Sequence, residues 1–294
     1  METAKRPDRL NLMPNEIREK VRRIRYDIIK MTYHAGSGHP GGSLSMAEGM
    51  ATLYFNEMHL DPKDPWNDMR DRLVLSKGHS APLLYSTLAE AGYFTRKELW
   101  TLRKLGSRLQ GHPGFDKGLP GIEVSTGSLG QGLSIANGIA LAGKRVLKKD
   151  WRVYCVMGDG EIQEGEIWEA AMTASHYGLD NLCGIVDNNN LQIDGCVRDV
   201  MCPYPIKEKW EAFGWHVIEI DGHNVDSWQI ALEEARNTSG RPTLILADTV
   251  KGKGISFMEN QAGWHGKAPN KEQAQQAVSE LGFDPSRIDD LEEN

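Results

Sequence analysis

The chain has 294 residues, 39% of them hydrophobic and 26% charged, the balance of a folded globular protein. A formal net charge of −7 gives no general attraction for nucleic acid, and no apolar run reaches the length of a membrane span or a signal core. The four cysteines show no CxxC spacing, and Cys155 and Cys183 fall in expected buried strands, which fits a reduced, cytoplasmic setting.

Residues 14–35 predict an amphipathic helix opened by Pro14, with Ile17, Val21, Ile24, Ile28 and Met31 on one stripe. The basic run from Arg18 to Arg25 falls on the same helix and reads as its solvated face. Gly36 ends the helix before Ser37-Gly38-His39-Pro40-Gly41-Gly42, where a histidine between glycine and proline sits on a stiff, exposed turn. A second helix is expected over about 43–56, with Ser43 as its N-cap. Residues 72–76 read as a short buried strand running into Lys77-Gly78-His79 and an apolar helix over 80–91. Thr95 and Glu98 have capping-box spacing and predict a helix over TRKELWTLRKLG.

Gly111-His112-Pro113-Gly114 places another histidine on a glycine/proline turn. Residues 125–132, STGSLGQG, lead into a small-residue helix through about Lys148; they lack the G-x-G-x-x-G order and a preceding strand, so a dinucleotide fingerprint is a poor reading. From Val153 to Gly195 the pattern is strand, glycine turn, helix, strand and amide-rich loop, one βαβ unit. A right-handed crossover brings Asp159, just past the first strand, and Asn189, just past the second, to one edge of a parallel sheet. Such oxygen donors suit a hard cation such as Mg²⁺ holding a phosphorylated cofactor, with a backbone carbonyl and water completing its shell. Two more strands are expected at 215–220 and 242–248, with a helix from near Asp226 between them. Glycine-flanked polar groups follow at 251–254 and 264–267, and 271–294 reads as a peripheral tail. With no repeat, linker or composition break, 1–294 reads as a single α/β domain, a parallel sheet of about five strands with helices on both faces.

Among nine histidines, His39, His79, His112 and His265 stand on glycine-flanked loops, which suggests a polar pocket that binds hydroxyls and moves protons near neutral pH. The unit GDG…N-N resembles the thiamin-diphosphate motif. Seven pieces, two of them extending that unit, resemble transketolase in its own order: SGHPGG at 37–42, KGHS at 77–80, GHPG at 111–114, TGSLGQG at 126–132, GDGEIQEG at 158–165, DNNNLQIDG at 187–195 and WHGKAP at 264–269. The resemblance implies a thiamin-diphosphate-binding fold, the diphosphate-binding domain of the family. It implies that Asp159, Asn189 and the Leu191 carbonyl hold Mg²⁺ (or Ca²⁺ or Mn²⁺), with Gly160, Asn189 and His79 against the diphosphate. Gly127, Ser128 and Leu129 would line the aminopyrimidine through their backbone, since relatives often carry proline at the position of Ser128. His39, His112 and His265 would face the sugar, His265 also near the diphosphate, and Glu164 would meet the activating glutamate of a pyrimidine-binding domain.

The activity implied is ketol transfer from a ketose phosphate to an aldose phosphate, with ordinary pentose phosphates as default substrates. The chain is expected to be the N-terminal subunit of a split transketolase, in an α₂β₂ assembly with a C-terminal partner. Alternatives are the α subunit of a thiamin-dependent 2-oxo acid dehydrogenase, deoxyxylulose-phosphate synthase, or a non-catalytic transketolase-like binding protein. The SGHPG, GHP and WHG loops and the GEIQEG continuation argue against the first, and the QEG after GDG against the second.

Overall fold

In chain order the strands are β1 (Arg72–Leu75), β2 (Val153–Gly158), β3 (Leu182–Asn188), the short pair β4 (Leu191–Gln192) and β5 (Gly195–Cys196), β6 (His216–Asp221) and β7 (Thr243–Asp248). The structure, a computed structural model, describes residues 5–292. Its main sheet has the order β1-β2-β3-β7-β6, and every neighbouring pair is parallel. All five carboxyl ends therefore open on one edge, where ligands of open α/β sheets bind.

The helices are α1 (Pro14–Ala35), α2 (Pro40–Ser45), α3 (Ala47–Thr52), α4 (Ala81–Ala91), α5 (Gln131–Leu141), α6 (Gly165–His176), α7 (Val197–Val200), α8 (Ile206–Ala212), α9 (Val225–Asn237) and α10 (Lys271–Glu280). They cover both faces because the central strands carry apolar residues at odd and even positions alike. Tyr154, Val156, Cys183, Ile185 and Ile245 face one buried cluster, with α1, α4, α9 and α10. Val153, Cys155, Met157, Leu182, Val186 and Leu244 face the other, with α5, α6 and α8. A strand alternates sides every residue, so only a sheet covered twice buries both sets. Among the described residues no helix is long and apolar enough to cross a membrane.

The long α1 starts with Pro14 at its first position and ends at Gly36, whose left-handed φ of 61° lets its N–H reach the Tyr33 carbonyl. Its basic residues depart from a plain solvated face. Arg18 pairs with Asp226 at 2.6 Å, and Arg25 turns inward, 8% exposed, to Glu48 at 2.8 Å. Ser43 is no N-cap: the helix starts at Pro40, and the Ser43 hydroxyl donates back to the His39 carbonyl at 2.7 Å from inside the first turn. The expected helix from Thr95 is a short 3-10 segment, Arg96–Thr101, without a side-chain cap. Glu98 instead makes a bidentate pair with Arg108 at 2.8 Å, and Arg103 at φ 60° turns the chain so that Leu99, Trp100 and Leu102 are all buried.

The segment from Lys271 is not peripheral. Its helix α10 packs on α1, with Ala274, Ala277 and Val278 fully buried, and Ile288 closes the same cluster. Residues 293–294 of the expected tail lie outside the described residues. Val278→Asp should lower the unfolding free energy by about 3 kcal/mol by burying an unpaired carboxylate. Urea unfolding checks this, and a loss under about 1 kcal/mol would contradict core packing of α10.

Candidate functional site

The turn after β2 and the loop after β3 fold onto each other through backbone donors. Asp159 is 2% exposed; its Oδ1 accepts the Gly160 N–H at 2.8 Å and its Oδ2 accepts the Asn190 N–H. Asn190 takes φ 59°, a left-handed position asparagine tolerates, and so reverses the chain over Asp159. Asn189 Oδ1 accepts the Leu191 N–H at 3.1 Å, and its Nδ2 donates to Asp187 Oδ2 at 3.1 Å. Asp159, Asn189 and Leu191 thus meet at the carboxyl ends of β2 and β3.

Beneath this loop lies a buried ion pair. Lys77, just beyond β1, donates to Asp187 Oδ2 at 2.5 Å and to the Gly42 carbonyl at 2.8 Å. Asp187 also accepts the hydroxyls of Ser45, at 2.5 Å, and Thr249. Burial pushes the Asp187 carboxyl up, but the Lys77 ammonium and these hydroxyls hold it below the usual carboxylate range. Asp159 forms no such ion pair among the described residues, and Lys251 offsets its charge only from a distance. Burial, with the charge of Asp187 behind it, pushes Asp159 up to about 7.

A second buried lysine, Lys251, follows β7. It donates to the Leu191 carbonyl at 2.8 Å and contacts His265 Nδ1 at 2.9 Å. Burial drops it to about 8. Four imidazoles complete the wall. His79 and His265 stack with centroids 5.0 Å apart, and His39 lies 5.4 Å from His79, 5.5 Å from His265 and 6.1 Å from His112. Burial, then the positive neighbours Arg103 and Lys251, lower His39 to about 4 and His265 to about 3 respectively. His79 is lowered well below its usual value by burial and Lys77, and His112 is lowered by burial and Arg103. All four are uncharged at neutral pH.

These groups border a cleft of about 210 Å³ at the carboxyl edge of the sheet. Asp159, Gly160, Asn189, Leu191, His79, His265, Leu129 and Glu164 line it. His112, Gly127 and Ser128 line an adjoining opening instead, and His39 stands between the two. Gly127, at φ 150°, lies so close to His112 that a Cβ there would sit 3.2 Å from the ring. Glu164 is exposed at the lip, where α6 begins.

Four residues at this site carry no role in the sequence reading: Lys77, Glu161, Asp187 and Lys251. Each lies inside or beside a glycine motif, and a charged residue next to an apolar strand is the signal that could have found them. Among the described residues no three His, Cys, Asp or Glu side chains group as a metal site. The donors at Asp159 are one carboxylate, one amide and one carbonyl, so a cation held there needs further oxygens from its ligand.

Residues 15–292 match the family model described as "Transketolase, thiamine diphosphate binding domain". Human transketolase is 44% identical over 283 residues, spanning 96% of this chain and 44% of that protein. An apulose-4-phosphate transketolase subunit of Phocaeicola vulgatus is 43% identical, spanning 90% of this chain and 92% of that one. The 6-deoxy-6-sulfo-D-fructose transketolase subunit SqwG of a Clostridium species is 47% identical, spanning 84% and 89%. The solved transketolase of Campylobacter jejuni superposes with a TM-score of 0.88 at 36% identity, over 93% of this chain and 44% of that one. Fold and match together define a thiamine-diphosphate-binding α/β domain. The chain belongs to the transketolase family, and it spans less than half the length of human transketolase.

Removing one partner of the buried Lys77–Asp187 pair strands the other charge. Asp187→Leu should therefore cost about 3–5 kcal/mol of stability, and Lys77→Met combined with it should cost less than the sum of the two single changes. Denaturant unfolding of the three variants measures this coupling, and strict additivity would contradict it.

Proposed function

We propose that the chain is the N-terminal subunit of a split transketolase, a thiamin-diphosphate- and Mg²⁺-dependent enzyme that moves a two-carbon ketol unit from a ketose phosphate to an aldose phosphate. One observation carries the reading: a carboxylate, an amide and a backbone carbonyl meet in one cleft with two buried ammonium groups and two neutral imidazoles, and His39 links it to His112 in the adjoining opening. The residues fit both groups. Asp159 is a buried carboxylate that forms no ion pair among the described residues, which suits Mg²⁺. A carbonyl oxygen has two lone pairs, so Leu191 can accept from Lys251 and still serve a metal. Lys251 spends two of its three N–H groups on Leu191 and His265, leaving one for an anion such as diphosphate.

Bound there, thiamin diphosphate supplies the nucleophilic carbon and the electron sink for breaking the carbon–carbon bond. This chain holds the diphosphate end through Asp159, Asn189, Leu191, Gly160 and His79, and lines the aminopyrimidine with Gly127, Ser128 and Leu129. His39, His112 and His265 bind the sugar hydroxyls. A neutral imidazole offers one donor and one acceptor, so His39 and His112 can each take a hydroxyl proton and return it, whereas His265, whose Nδ1 accepts from Lys251, offers a hydroxyl its Nε2–H.

Two relatives covered along most of their length are named as transketolase subunits, which supports a partner subunit; in this reading it carries the pyrimidine-binding half and the assembly is α₂β₂. Glu164, exposed at the lip, would meet that partner's activating glutamate. The names of those relatives, for apulose 4-phosphate and 6-deoxy-6-sulfofructose, keep the donor at the level of an anionic ketose.

Ketol transfer should appear only when the C-terminal half is added, and substantial turnover by the purified chain alone would overturn the split assignment. Asp159→Ala should weaken Mg²⁺-dependent cofactor binding by more than about 100-fold while the circular dichroism spectrum stays unchanged, as expected for loss of a direct ligand. Unchanged affinity by calorimetry would remove Asp159 from the metal site.

A further inference from the structure

Glu161 is the buried acid of this site that the proposed chemistry leaves without a task. It opens the 3-10 turn Glu161–Gln163 directly after the Asp159–Gly160 turn and is 3% exposed. Its carboxylate gathers three donors from three separate segments. Oε1 accepts the Ser76 hydroxyl from the end of β1 and the Gly130 N–H, at 3.0 Å, from the start of α5. Oε2 accepts the Gly158 N–H, at 3.0 Å, from the end of β2. Among the described residues no lysine or arginine forms an ion pair with it; backbone and hydroxyl donors make its hydrogen bonds, and the Lys77 charge acts from farther off.

Those three segments carry two different parts of the cleft. Gly158 leads into the Asp159 turn, the anchor for a diphosphate. Gly130 closes the Gly127–Leu129 loop, the slot for an aminopyrimidine. The first turn of α5 has no slack against the residue after β1: a Cβ on Gly132 would lie 2.3 Å from Ser76 Oγ and 2.7 Å from Ser76 Cα. Gly130 itself takes φ 90° and caps α5 without a side chain, so the Glu161 carboxylate is what meets that helix terminus.

We infer that Glu161 is a positioning residue that sets the spacing between the diphosphate anchor and the aminopyrimidine slot. It does so by bridging Gly158 and Gly130 with one rigid carboxylate. This rests on the cofactor reading above and adds a residue to it. A glutamine at this position keeps the shape but turns an NH₂ toward one of three donors, leaving a buried donor unsatisfied. The defect should fall on ligands that span both parts, not on ligands that occupy the anchor alone.

The test compares two ligands on the complex with the C-terminal half: thiamin diphosphate with Mg²⁺, and inorganic diphosphate with Mg²⁺. Glu161→Gln should weaken thiamin diphosphate by about tenfold or more, the equivalent of one unsatisfied donor, and leave inorganic diphosphate within about twofold. Ser76→Ala, which removes one donor and keeps the carboxylate, should move the same ratio in the same direction by a smaller factor. It carries the test if the glutamine variant does not assemble. Equal weakening of both ligands, or an unchanged ratio in both variants, overturns the inference. A wild-type complex that binds neither ligand overturns the cofactor reading itself.

Discussion

The Lys77–Asp187 pair is the constraint around which the strand ends are arranged. A buried ammonium and carboxylate persist only when their geometry is good and their remaining donors and acceptors are met. Asp187 meets that condition by drawing in Ser45 from α2, Thr249 from beyond β7 and Asn189 from its own loop. Lys77 meets it with the Gly42 carbonyl. One ion pair therefore ties α2, the end of β1, the loop after β3 and the end of β7 around the point where the sheet opens.

The remaining charge in the cleft follows from that pair. Lys77 pairs with Asp187 and not with Asp159, so the Asp159 carboxyl faces the charge of Asp187 with no ion pair among the described residues and only the more distant Lys251 to offset it. Lys251 stands opposite as an ammonium held by a carbonyl and an imidazole. Burial, reinforced by the charge of the two lysines, keeps His79 and His265 neutral. The result is a cleft with one place short of positive charge and another short of negative charge. A metal ion bound to a diphosphate answers both demands at once, whereas either alone answers one. Burial strengthens each of these interactions, since the effective dielectric is lower than in water.

Much of this was legible in the sequence. The strands at β2, β3, β6 and β7 were marked by apolar runs, and Pro14 and Gly36 marked both ends of α1. The motifs placed Asp159, Asn189 and His79 correctly at strand ends. What misled were local signals that tertiary contacts override. Ser43 and Thr95 have the chemistry of helix caps, but Pro40 starts the first helix earlier and Glu98 is claimed by Arg108. The acidic composition of 271–294 suggested a surface tail, while Ala274, Ala277, Val278 and Ile288 within it belong to the core beside α1.

The sequence by itself determined the class of fold, the family and the identity of the polar groups, because each depends on short-range patterns: apolar runs, glycine turns and spacing within one βαβ unit. Only the tertiary structure decided which charges are buried and what they face. Lys77, Glu161, Asp187 and Lys251 come from four separate strand ends, and the burial of a charge depends on neighbours distant in the chain. No local pattern encodes that. The parallel sheet does, because it delivers all those ends to one edge and leaves each charge to find its partner across it.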